Sequence, residues 1–169
     1  MPSEDLARTF FPTPGPYQLA YVTSDLGHAL GLYRARFGIP QFARINDFKL
    51  TVGTDRAALI NVAMAFVGDV QLELIEPCGG DDQLFRDPLP LSGFASRIHH
   101  LGYLVPSPEH WRLLLDEIRR QGLQTPVRCS FPNAEIIYTD RRQDLGHCIE
   151  YFLFSDAGRA WQATIPRYA

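Results

Sequence analysis

Four polar side chains stand at matching places in a repeated pattern. Gln18 opens Gln-Leu-Ala-Tyr, and His100 opens His-Leu-Gly-Tyr 82 residues later. Each opening is followed ten residues on by a histidine (His28, His110) and then by a glycine (Gly38, Gly122). Each stretch ends in an apolar run with one embedded carboxylate. These are Glu73 in Val-Gln-Leu-Glu-Leu-Ile, 55 residues after Gln18, and Glu150 in Cys-Ile-Glu-Tyr-Phe, 50 residues after His100. A carboxylate among apolar neighbours on a buried strand is costly unless it is paired or metal-bound. Glu73 and Glu150 share that predicament, and one ion could satisfy both. A duplicated unit with a ligand-capable side chain at each end can bring four such groups to one place.

Those residues need strands to carry them. Tyr17 to Val22 is short and β-prone, and Thr23, Ser24 and Asp25 form an N-cap cluster ahead of a helix predicted over 26–37. Gly38 suits the helix end and Pro40 stops it. Strands are predicted at 41–45, 57–65 and 69–75, with 49–52 also extended, which makes a β-α-β-β-β unit. Residues 76–97 are rich in Gly, Pro and Asp and read as loop, with a short helical turn around 83–86. The plan then repeats. A strand over 98–105 leads to a helix over 110–121, entered through Ser107 and Pro108 and ended by Gly122. Strands follow at 125–130, 135–139 and 147–154. The organisation is a tail at 1–16 with a loop from Pro12 to Pro16, a module at 17–77, a linker at 78–97, a second module at 98–154 and a C-terminal tail at 155–169. The tail admits a short helix around 157–163. Side chains two apart share a strand face. Gln71 therefore lies with Glu73, and Cys148 and Phe152 lie with Glu150. His99 and His100 point to opposite faces, with His99 outward or under a helix.

Composition excludes several classes. With 169 residues, the chain is one ordinary domain or two small fused modules. Net charge is −3 and the basic residues are scattered, so no nucleic-acid surface is expected. Cys78, Cys129 and Cys148 show no Cys-x-x-Cys spacing, and so sparse a count fits a reducing cytoplasm. The first residues lack the basic and apolar regions of a signal peptide. No apolar run approaches the ~20 residues that span a bilayer. A soluble, cytoplasmic protein without a membrane partner is expected.

In this order, Ile-His-His-Leu-Gly-Tyr, Leu-Glu-Leu-Ile-Glu-Pro and Asp-Leu-Gly-His-Cys-Ile-Glu-Tyr on a duplicated β-α-β-β-β plan resemble the vicinal oxygen chelate superfamily. That superfamily includes glyoxalase I, methylmalonyl-CoA epimerase, extradiol dioxygenases and bleomycin-resistance proteins. The resemblance spans about residues 17–154. It implies an α+β fold in which each module curls into half of a cup-shaped mixed sheet, with helices on the outer face. It implies metal ligands at Gln18, Glu73, His100 and Glu150, and commonly a homodimer. Gln, Glu, His, Glu is similar to the set of human-type glyoxalase I, whereas the linker looks more like the epimerase branch.

One imidazole, two carboxylates and an amide oxygen suit a single Zn, Ni, Co, Mn or Fe ion. Such a site leaves room for a small carbonyl-containing substrate, whose α-proton a carboxylate can accept. Glu150 and Glu73 are the candidate catalytic residues, and the resemblance favours Glu150. Gln71, Cys148, Tyr138 and Phe152 are the candidate substrate contacts. Bland readings compete. Gln18 could be a buried amide bonded to backbone, Glu73 could pair with Arg97 or Arg44, and Cys148 could be a small core hydrophobe. His28 and His110 belong to helix surfaces. The leading expectation is a metal-dependent isomerase, epimerase or lyase. The alternatives are a metal-free binding protein of the bleomycin-resistance kind and an Fe(II) ring-cleaving dioxygenase.

Overall fold

The structure is a computed structural model describing residues 4–12 and 15–169. Of the two repeated opening residues, Gln18 begins its strand and His100 lies in the middle of its own. β1 (Gln18–Thr23) alternates apolar side chains between the inside of a curved sheet and the helix that follows. That helix, α2 (Leu26–Phe37), starts where the Asp25 carboxylate accepts the His28 backbone N–H at 2.8 Å. It ends at Gly38, whose positive φ of 67° turns the chain away.

β2 (Ala43–Val52) is one strand where the sequence suggests two extended pieces. A bulge between Ile45 and Phe48 joins them, with Asp47 at φ 51° and its N–H held by Asn61 Oδ1 at 3.0 Å. β3 (Arg56–Val67) and β4 (Val70–Gly80) complete the first half. β4 runs into the segment expected to be linker. It can do so because Gly80, at φ 66°, passes so close to β3 that a Cβ would lie 2.2 Å from the Ala57 oxygen.

After α3 (Gln83–Arg86), the second half repeats the order: β5 (Ser96–Leu104), α4 (Pro108–Arg120), β6 (Arg128–Ser130), β7 (Ala134–Thr139) and β8 (Cys148–Phe154). α5 (Asp156–Gln162) and β9 (Arg167–Tyr168) follow. The first described element, α1 (Glu4–Phe10), was not foreseen; Phe10 packs beside α4, and Phe11 meets Tyr103 edge-on. Residues 1–3, 13 and 14 lie outside the described part, so the loop expected over 12–16 is described only in part.

The sheet order is β2-β3-β4-β1-β5-β8-β7-β6, with β9 added to β3. β1 and β5 pair antiparallel at the centre, and each is flanked by a parallel partner, β4 or β8. The two halves are thus related by a pseudo-twofold between β1 and β5. The outer edges nearly meet: Val52 bridges Val127, and the Thr51 N–H donates to Cys129 Sγ at 3.1 Å. The eight strands of the cup therefore come from one chain.

The expected α+β cup is what forms. α2 and α4 cover its outside, Leu26 and Ala29 on one half and Trp111, Leu114 and Ile118 on the other. α3 and α5 do something else. Leu84 and Phe85 of α3, and Trp161 beside α5's end, join the cluster inside the cup.

Candidate metal centre

Four adjacent strands at the middle of the sheet supply the site: β4, β1, β5 and β8. Their register places Ala20 between Glu73 and His100, and Gly102 between Gln18 and Glu150. Gln18, Glu73, His100 and Glu150 are all buried, His100 completely. His100 Nε2 lies 2.8 Å from Gln18 Oε1, 2.6 Å from Glu150 Oε2 and 3.4 Å from Glu73 Oε2. One ligand atom from each of Glu73, His100 and Glu150 falls within 4.8 Å of the others. The sequence-predicted set is thus brought to one point. Glu73 faces His100, not the arginines weighed as partners.

The donor set fits a divalent cation. Glu73 Oε2 and Glu150 Oε2 are buried without a hydrogen-bond partner, since one imidazole nitrogen cannot serve three oxygens, and the close His100–Glu150 approach lacks hydrogen-bond geometry. Gly102 makes room for Gln18. A Cβ there would sit 2.9 Å from Gln18 Cβ and 2.7 Å from Phe152 Cε2.

The His99–His100 pair corrects the parity reading. The β1–β5 register shifts between Ala20 and Tyr21, and this bulge turns both rings inward. His99 does pack under a helix, stacked on Phe85 with ring centroids 4.8 Å apart. Its two nitrogens fix the tautomer of His100. His99 Nε2 lies 3.2 Å from the Leu84 carbonyl, which can only accept, so the proton is on Nε2. Burial, and then the charge of His100, hold the His99 pKa well below the ordinary value, so the ring is neutral and Nδ1 accepts. His100 donates to it from Nδ1 at 2.8 Å. The ring atom facing the three oxygens is then His100 Nε2, which is the orientation expected of a ligating histidine with a hydrogen-bonded second nitrogen.

Electrostatics tie the group together. Burial pulls the His100 pKa down, but Glu150 and Glu73 outweigh it and raise it to about 9. Burial pushes Glu150 up to about 7, against the pull of His100 and the Tyr138 hydroxyl. A proton on His100 and a divalent cation are alternative ways to neutralise the same carboxylates.

A cavity of about 350 Å³ adjoins the centre. Gln71 and Phe152 line it with Gln18, Glu73 and Glu150, as the strand alternation implied, and so does the candidate contact Tyr138. Cys148 does not line it. It is fully buried in the core, and burial drives its thiol up to about 12. Its bland reading as a core hydrophobe fits that position. His28 stacks on Phe94 and His110 sits by its Ser107 cap, both away from the site. Trp161 and Gln162 of the C-terminal segment also line the cavity, and Gln162 binds Gln71 and Tyr17. A helix near 157–163 was legible, but it has no counterpart in the first module, so the repeat did not mark it.

A paired β-α-β-β-β cup with an imidazole and two carboxylates at its centre defines a vicinal oxygen chelate architecture. The profile of the Glyoxalase/Bleomycin resistance protein/Dioxygenase superfamily matches residues 17–130, and the chain belongs to that superfamily. Solved structures share the fold. A variant of Streptomyces coelicolor methylmalonyl-CoA epimerase in complex with 2-nitronate-propionyl-CoA superposes with a TM-score of 0.56 at 16% identity, covering 83% of this chain and 94% of that one. Methylmalonyl-CoA epimerase from Mycobacterium tuberculosis gives 0.55 at 17% identity, covering 86% and 91%. A methylmalonyl-CoA epimerase in complex with methylmalonyl-CoA and NH4+ gives 0.53 at 19%, covering 83% and 94%. No curated protein is matched by sequence. Among the described residues, no helix is long and apolar enough to cross a membrane.

Proposed function

We propose that this chain is a divalent-metal-dependent isomerase, epimerase or glyoxalase-like lyase that moves a proton next to a carbonyl. The observation that carries the reading is the convergence of Glu73, His100 and Glu150, in which two buried carboxylate oxygens have only one imidazole nitrogen to face. Gln18, Glu73, His100 and Glu150 would hold the ion. Bound there, a Zn, Ni, Co, Mn or Fe ion would supply Lewis-acid polarisation of a substrate carbonyl.

The remaining work falls to the chain's own residues. Glu150 is the proton acceptor. Its carboxylate is buried yet lines the cavity, the position required of a group that takes a proton from a substrate there and returns it. Tyr138, paired opposite Glu150 across β7 and β8, stays a neutral phenol because burial raises its pKa well above 10, and it steadies the carboxylate form. Phe48, Phe131, Phe152 and Trp161 exclude water and accept an apolar substrate body. The acyl-CoA ligands of the structural neighbours make a thioester one candidate, and any small carbonyl compound that fits about 350 Å³ is another. The buried thiols of Cys129 and Cys148 support a reducing, cytoplasmic setting. Homodimerisation, common among superfamily members, completes the proposal.

One observation favours a second reading. A protonated His100 can neutralise the two carboxylates without a metal, which would suit an apolar-ligand binding protein. The dioxygenase reading loses support, because both nitrogens of His99 are engaged and no second histidine faces the centre among the described residues. The test is solvent-deuterium exchange, followed by NMR, at the α-carbon of a panel of carbonyl compounds with added Co²⁺ or Ni²⁺. Exchange that Glu150→Gln lowers by about 10²- to 10⁴-fold supports the proposal. Tight apolar-ligand binding with no exchange supports the second reading.

A further inference from the structure

The C-terminal helix reaches the centre through three side-chain amides. Gln162 Oε1 accepts from the Tyr17 hydroxyl at 2.9 Å and from Gln71 Nε2 at 2.7 Å. Gln71 Oε1 accepts from Gln18 Nε2 at 2.7 Å. Gln18 Oε1 then lies 2.8 Å from His100 Nε2. Gln71 has no exposed surface, and Gln18 and Gln162 have very little.

An amide has a donor end and an acceptor end, so each bond in this row dictates the next. The polarity starts at Tyr17, whose phenol carries its proton at neutral pH and donates it to Gln162 Oε1. That donation calls for an oxygen at Gln162, and the same oxygen draws in the NH₂ of Gln71. The Gln71 oxygen then draws in the NH₂ of Gln18. What Gln18 has left to face His100, Glu73 and Glu150 is its oxygen. Were Gln18 reversed, its NH₂ would point there, with no lone pair to give to a cation, and four donors would become three.

We propose that Gln162, anchored by Tyr17, is a positioning residue for the metal centre: through Gln71 it holds the Gln18 side chain with its oxygen toward the cation. The inference rests on the metal reading above. It makes α5 part of the site, and it explains why a polar side chain near the chain's end is buried against an otherwise aromatic wall.

The test is Co²⁺ titration of the full-length metal-free protein, followed by the visible absorption of the bound ion. Circular dichroism of each variant verifies the fold. Gln162→Leu removes the acceptor and frees Gln71 to reverse, so Co²⁺ affinity should fall by about 10- to 100-fold, the usual effect of losing an outer-shell partner, with an altered spectrum. Gln162→Glu keeps two acceptor oxygens and offers no donor, so it should retain the affinity and spectrum of the natural protein. Tyr17→Phe removes only the polarity-setting proton and should weaken binding even if Gln162→Leu does not fold. Natural affinity and spectrum in Gln162→Leu and Tyr17→Phe would overturn the inference alone. So would a Gln162→Glu protein as weak as Gln162→Leu, because polarity would then not matter. Absence of Co²⁺ uptake by the natural protein would overturn the metal reading, and the inference with it.

Discussion

Raising the pH of the metal-free protein from 7 to 9 should weaken its fold, and a bound divalent ion should abolish the effect. The perturbation acts on His100. Its folded pKa, about 9, lies above the ordinary histidine value because Glu150 and Glu73 overcome the effect of burial. The folded state therefore holds a proton that the unfolded chain releases near pH 6.5. The resulting stabilisation is complete below 6.5 and is lost as pH rises through 9. A shift from 6.5 to about 9 corresponds to about 3 kcal/mol, of which about 2 kcal/mol goes between pH 7 and 9. Glu150, raised to about 7, adds only a small further loss between pH 7 and 8, and His99 is already neutral there. The Cys148 thiol, raised to about 12, acts in the same direction near pH 9, so the control must be His100→Gln, which keeps that thiol. The assay is denaturant unfolding at pH 7, 8 and 9, with chelator or with Co²⁺. The natural protein in chelator should lose stability across this range, His100→Gln should lose much less, and the Co²⁺ form should be nearly flat. Equal slopes for the natural protein and His100→Gln would refute the claim that one proton is shared among His100, Glu73 and Glu150.

Other predictions follow from the same geometry. Gly102→Ala should place its methyl against Phe152 and Gln18, destabilise by about 1–3 kcal/mol in denaturant unfolding and loosen metal binding through Gln18. Tyr138→Phe should remove the hydroxyl that favours the ionised form of Glu150, so the acid limb of the pH–rate profile should move to higher pH. His28→Ala should leave metal affinity unchanged in the same Co²⁺ titration, because His28 stacks on Phe94 outside the cup.

The repeat made the centre legible. Gln18, Glu73, His100 and Glu150 stand at corresponding places in two modules, and a pseudo-twofold between β1 and β5 must bring corresponding places together. Strand alternation placed Gln71 beside Glu73 and Phe152 beside Glu150 because β4 and β8 are regular there. It failed at His99 because a bulge adds a residue to β5, and parity has no warning for that. It also misjudged Cys148, which shares a face with Glu150 but lies where packing closes over it. The two extended pieces at 41–45 and 49–52 looked separate because the polar Asn46-Asp47 between them resembles a turn; Asp47 is instead held in the left-handed region by Asn61. Gln162 was out of reach because its role depends on three hydrogen bonds across 145 residues of sequence. Substrate identity was out of reach for a different reason: aromatic strand residues look alike whether they fill a core or wall a cavity.

The most direct test of the central claim is elemental analysis of the purified natural protein beside its Gln18→Ala, His100→Ala and Glu150→Ala variants. The account predicts about one Zn, Ni, Co, Mn or Fe ion per chain, lost or strongly depleted in His100→Ala and Glu150→Ala and weakened in Gln18→Ala. A natural protein that holds no such ion and takes up none when it is offered would contradict the account.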